Sequence, residues 1–248
     1  MSQRANSAAL AIGIGLLATL PANAYDFVPT NREFTAWPQW CQELYVATDV
    51  GRQSPFVTRI PRELATKAYA NPDLHGFWHY CAGMVWLDRA RAVVDQSQAT
   101  FKYEQAIAET SFNYGRSGPG HFLRGEMGTT LGLAYRGLGQ YDKAKEFLRR
   151  AIEEEPHYAP AYTAMYLVHR DLGERAEARA VLLRGNDSTK NKSAELHYFL
   201  GLSYLDDDDL VSAKKHAEVA YRLGYPLPGL KNKLKRLDST PASPSAPP

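Results

Sequence analysis

The sequence predicts an all-α fold, and three observations predict it. A pattern of small and large apolar residues recurs every 34–35 residues between Gly125 and Leu227. Glycine-bearing reversals, Gly137-Leu138-Gly139-Gln140-Tyr141-Asp142 and Asp171-Leu172-Gly173-Glu174, fall at matching places within that period. Upstream, Trp78, Cys81, Val85 and Ala92 recur at helical steps and give one face a core. One such unit cannot bury its apolar face alone, so neighbours stack and stability becomes a sum over interfaces.

Taken in order, the chain opens with an address. Residues 1–24 place Arg4 before the uncharged run Ala8–Leu20, then Pro21 and the small triplet Ala22-Asn23-Ala24, the pattern of a secretory signal peptide cleaved after Ala24. The run is too short for a bilayer span, which needs about 20 apolar residues. An exported chain, in the periplasm and without stable membrane insertion after cleavage, is the expectation.

Residues 25–70 read as an N-terminal cap segment, with Trp37-Pro38-Gln39-Trp40-Cys41 leading a helix to about Thr48 and then a loop rich in Arg, Gln, Ser and Pro. Residues 71–120 read as an atypical first helical pair. Asn71 caps and Pro72 starts a helix to about Val94, a second helix runs from Ala99 to Tyr114, and Ser117-Gly118-Pro119-Gly120 closes the unit. Residues 121–237 hold the repeats and a capping helix, Leu230–Leu237, with leucines at helical spacing on a basic background. Residues 238–248, with Ser, Thr, Ala and four prolines, have nothing to bury and are expected to form a disordered tail.

The repeat can be followed position by position. Leu131-Gly132, Tyr135, Gly139, Tyr141, Ala144, Leu148, Ala151 and Pro156 reappear as Met165-Tyr166, His169, Gly173, Ala178 and Leu182, and again as Leu200-Gly201, Tyr204, Asp208, Ala213, Ala217 and Ala220. Two departures stand out: Tyr166 where a small residue belongs, and Lys190 in place of the closing proline. This pattern resembles the tetratricopeptide repeat family. The resemblance implies an antiparallel helix-hairpin solenoid, a right-handed superhelix, whose first helices line a concave groove for a peptide or protein partner. Carried over residue by residue, the groove positions are Thr129, Leu133 and Arg136, then Thr163, Leu167 and Arg170, then Tyr198, Leu202 and Leu205. Arg136 and Arg170, one repeat apart, would suit a partner with acidic groups.

Chemistry beyond binding finds little in the residues. The formal net charge of +2 is too small for a nucleic-acid footprint. No nucleophile elbow or phosphate-cradling loop occurs, so neither an enzyme nor a cofactor is expected. His75 and His79, four apart near a helix start, would share one face, and they carry the alternative reading of a metal- or haem-handling protein. Asp206–Asp209 read as a turn whose aspartates cap the following helix rather than as a calcium loop. Arg149 and Arg150 are expected to pair with Glu153 and Glu154. Two sequons, at Asn186 and Asn191, fall in an expected loop. Cys41 and Cys81 are the two cysteines, and an oxidising compartment would pair them in a disulfide.

Overall fold

A computed structural model describes residues 27–239. The expected signal peptide therefore lies outside the described residues, as does the expected tail apart from its first two positions. Within the described residues the chain is helical with no strand. After the short α1 (Asn31–Ala36), α2 (Gln39–Ala47) and α4 (Arg62–Ala70) pack together, bridged by one turn of helix, α3 (Asp49–Arg52). Four further pairs follow: α5 (Trp78–Ala92) with α6 (Gln96–Arg116), α7 (Arg124–Gly137) with α8 (Tyr141–Glu154), α9 (Ala159–Asp171) with α10 (Arg175–Ser188), and α11 (Ala194–Leu205) with α12 (Leu210–Arg222). The last helix, α13 (Gly229–Ser239), buries Leu230 and Leu234 against α11 and α12 and turns its lysines outward, as a solenoid cap must. It reaches two residues into the expected tail.

Each pair closes where a small residue lets two helices approach. A Cβ on Gly132 would stand 2.4 Å from Cγ of Leu148 on α8, and one on Gly201 would stand 3.3 Å from the carbonyl oxygen of Ala213 on α12. Repeat two has Tyr166 at that position, and the close approach moves elsewhere: Gly185 on α10 presses on Tyr162, where a Cβ would meet Cγ at 2.5 Å. Tyr166 itself is buried and packs on Phe199 of the next repeat, with ring centroids 5.5 Å apart. Positive φ values of 69° at Gly139 and 75° at Gly173 confirm that the reversals need glycine. Lys190, standing in place of the closing proline, takes the left-handed conformation at φ 55°.

Three expectations about the first 120 residues are corrected. The cap segment is not one helix and a loop. Besides α1, α2 and the single turn α3, residues 62–70 form another helix, α4, whose small residues Ala65 and Ala68 are buried, and α2 and α4 together supply a further pair. Asn71 and Pro72 start only a 3-10 turn, Pro72–Leu74, because Gly76 at φ 79° breaks the path and α5 begins at Trp78. His75 and His79 therefore do not share a helix face.

The α5–α6 pair holds a buried polar seam. The side chain of Asn113 accepts the backbone N–H of Tyr80 at 3.0 Å, a first-turn donor of α5 that has no partner within the helix. Beside it His79 Nδ1 lies 2.7 Å from the Glu109 carboxylate. Asn113→Leu leaves that N–H buried and unmet, so urea unfolding is expected to report a loss of about 1–3 kcal/mol; an unchanged midpoint would show that the seam carries no stability.

The polar outer faces follow the expectations in part. Asp209 caps α12 by accepting from the Ser212 N–H at 3.0 Å, and Arg149 meets Glu153 at 2.7 Å. Arg150 instead meets Glu146 one turn back at 2.5 Å, because Glu154 is taken by Arg124 of α7 at 2.9 Å, within the α7–α8 pair. Asn186 is buried inside α10, while Asn191 is exposed in the turn that follows.

Candidate functional site

Successive first helices, α5, α7, α9 and α11, touch one another, whereas successive second helices, α6, α8, α10 and α12, make far less mutual contact. A stack spaced more tightly on one side curves toward that side, so the first helices form the concave wall. On α7 the residues Glu126, Thr129, Leu133 and Arg136 are spaced by three and four and share one face. Glu195, Tyr198, Leu202 and Leu205 repeat that spacing on α11, and Thr163, Leu167 and Arg170 repeat it on α9.

The nine expected groove residues thus fall on one wall of three adjacent helices, but they are not equivalent. Thr129, Thr163 and Tyr198 are buried and form its floor. Thr129 donates to the carbonyl of Gly125 at 2.8 Å, and Thr163 reaches across to α11 to donate to Glu195 at 2.8 Å. Tyr198 stacks on Tyr225 with ring centroids 4.1 Å apart. Leu133, Leu167, Leu202 and Leu205 are half-buried and offer apolar contact. Arg136 is held by Asp171 at 2.7 Å, and Arg170, the more exposed of the two, lies 3.7 Å from the same carboxylate and over the ring of Tyr166. An acidic group approaching the two arginines meets a site whose two positive charges Asp171 already offsets in part.

The opposite rim of the wall was not singled out from the sequence. Glu126 on α7, Glu155 at the end of α8 and Glu195 on α11 all influence Tyr158, the residue preceding α9. Burial raises the Glu126 carboxyl above its ordinary range, burial and then the negative charge of Glu126 raise Glu155, and burial raises Glu195. Neutral hydroxyls face two of them: Tyr80 donates to Glu126 at 3.4 Å, and Thr163 to Glu195. Among the described residues no lysine or arginine forms an ion pair with any of the three. A signal for this rim was present, since Glu126 and Glu195 stand three residues before Thr129 and Tyr198 and so on the same helix face. Glu155 carried no such signal, because it reaches the rim only where Gly125 has no side chain; a Cβ there would meet its Oε2 at 2.7 Å.

Cys41 on α2 and Cys81 on α5 are joined in a disulfide, with Cα atoms 5.8 Å apart. Among the described residues no three His, Cys, Asp or Glu side chains are grouped so as to hold a metal ion, and no helix is long and apolar enough to cross a membrane.

Residues 135–202, from the end of α7 into α11, match the tetratricopeptide repeat family model. Residues 135–202 therefore carry tetratricopeptide repeats. A thermophilic tetratricopeptide repeat protein of Thermus thermophilus is similar over 79% of this chain and 97% of its own, at 19% identity and a TM-score of 0.53. That span exceeds α7–α13 and carries the shared fold back into the earlier pairs. YrrB, described as a tetratricopeptide repeat protein with an unusual peptide-binding site, is similar over 79% of this chain and 93% of its own, at 18% identity and a TM-score of 0.45. MamA of MSR-1 is similar over 73% of this chain and 92% of its own, at 19% identity and a TM-score of 0.42. No curated protein matches the sequence.

Proposed function

We propose that this tetratricopeptide repeat chain is a non-enzymatic interaction scaffold that holds a segment of a peptide or protein partner against the concave wall of α7, α9 and α11. The observation that carries this reading is the wall itself: one face repeated on three adjacent helices, with a buried hydroxyl floor, a half-buried leucine ladder and a different charge on each rim. The sequence of Ala8–Leu20 and Ala22-Asn23-Ala24 supports work outside the cytoplasm, in the periplasm, where envelope assembly or secretion needs such scaffolds.

The rims set the partner's chemistry. Arg136 and Arg170 share the one carboxylate of Asp171, so an acidic group binds there in competition with it. Among the described residues no cation forms an ion pair with Glu126, Glu155 or Glu195, and a lysine or arginine of the partner would relieve their repulsion. Carboxyls raised in the folded state weaken the fold as pH rises past the ordinary carboxylate range, because ionisation is then easier in the unfolded chain. The double variant Glu126→Gln/Glu195→Gln is therefore expected to be more stable than the parent at pH 7, by about 0.5–1 kcal/mol after allowance for solvent screening, yet to lose most of its hold on basic peptides. An immobilised array of Lys/Arg-rich and Asp/Glu-rich peptides reads the second effect. Retention of basic peptides unaltered by the double variant overturns the assignment of that rim. Arg136→Ala/Arg170→Ala is expected to weaken capture of acidic peptides several-fold, and unchanged capture removes the arginines from the site.

A further inference from the structure

The two helices of the third repeat meet through a pair of histidines outside the groove. His197 is buried on α11, His216 is half-buried on α12, and their Nδ1 atoms lie 2.9 Å apart. His197 Nε2 stands 3.3 Å from the carbonyl oxygen of Asn191, so that nitrogen carries a hydrogen and donates. His197 Nδ1 is then a bare lone pair, and the hydrogen in the short contact belongs to His216 Nδ1. One neutral tautomer of each ring satisfies both contacts. Protonation of both rings would set two N–H groups head to head across 2.9 Å.

The surroundings do not welcome a positive charge. Tyr204 of α11 stacks on His216 with centroids 5.4 Å apart, and Arg179 of α10 covers Tyr204 at 4.5 Å. Lys215 beside His216 and Arg222 farther along α12 repel a protonated ring. The Asp207 carboxylate is already paired with Arg179. The Asn191 carbonyl is the group that favours a charged His197.

We propose that the His197–His216 contact is an acid-sensitive latch on the α11–α12 hairpin, closed at neutral pH and opened by protonation when the medium acidifies. Burial, His197 and Lys215 push His216 down to about 4, and burial lowers His197 as well. Groups whose folded-state values lie below the ordinary 6.5 stabilise the fold above that pH, and the stabilisation is lost as pH falls from 6.5 toward 4. Because α11 carries Glu195, Tyr198 and Leu202, opening the hairpin would also loosen the end of the groove; that consequence rests on the groove reading, while the latch does not.

The test uses the full chain without any partner. Proton NMR titration of the two imidazoles is combined with hydrogen exchange of α11 and α12 at pH 7.5 and 5, corrected for intrinsic exchange and compared with α7 and α8. Both rings are expected to stay neutral at pH 6, and protection of α11–α12 is expected to fall about tenfold relative to α7–α8 between the two pH values. His216→Gln, which keeps a donor but cannot be charged, should flatten that fall. Titration of both rings near 6.5, or a protection ratio constant across the range, overturns the latch. Should His216→Gln fail to fold, the titration and exchange of the parent chain decide alone.

Discussion

Replacing both Cys41 and Cys81 by serine is expected to destabilise the chain by about 3–4 kcal/mol, the chain-entropy cost of releasing a loop of 40 residues. The bond ties α2 to α5 and so fastens the N-terminal pair onto the array. Both cysteines are fully buried, packed with Phe34, Trp37 and Tyr45, and the Trp37 indole N–H donates to the Cys81 carbonyl at 3.0 Å. Because a solenoid loses stability pair by pair, the loss should appear first in α1–α4 and leave α7–α12 protected. Calorimetry and hydrogen exchange of the double variant check both halves of the expectation. A variant as stable as its parent, or two free thiols in the non-reduced protein by mass spectrometry, would remove the bond from the account.

The second large effect is a size swap across α7 and α8. Leu148→Ala empties a fully buried site and is expected to cost about 2–5 kcal/mol. Gly132→Ala forces a methyl to within 2.4 Å of Leu148 Cγ, and overpacking of this kind costs about 1–3 kcal/mol. Together the two changes should cost clearly less than their sum, since the new methyl enters the space that Leu148 vacates. Urea midpoints of the two single variants and the double variant measure the coupling. Strict additivity would mean that Gly132 does not set the distance between the helices.

How much of this was legible in the sequence follows from where each interaction is made. The repeats from Gly125 onward could be read because their packing residues recur at a fixed period and their reversals need glycine at Gly139 and Gly173. The capping helix and the aspartate cap of α12 were legible for the same local reason. The α4 helix was not, since Ala65 and Ala68 bury too little apolar surface to mark a face, and α4 is held by α2 rather than by a pattern of its own. His75 and His79 looked like neighbours on a helix because Gly76 tolerates either course, and the chain takes the positive φ that ends the path there.

Local chemistry in the sequence by itself determined the helices from Gly125 onward, their reversals, the register of three repeats and the wall on which Thr129, Thr163 and Tyr198 lie, because each depends on residues fewer than about 35 apart along the chain. Tertiary structure alone decided the charge of that wall. Whether Arg136 is free or held by Asp171 of the next pair, and whether Glu155 joins Glu126 and Glu195, depends on which side chains the stacking brings within a few ångströms, and no spacing along one helix records that.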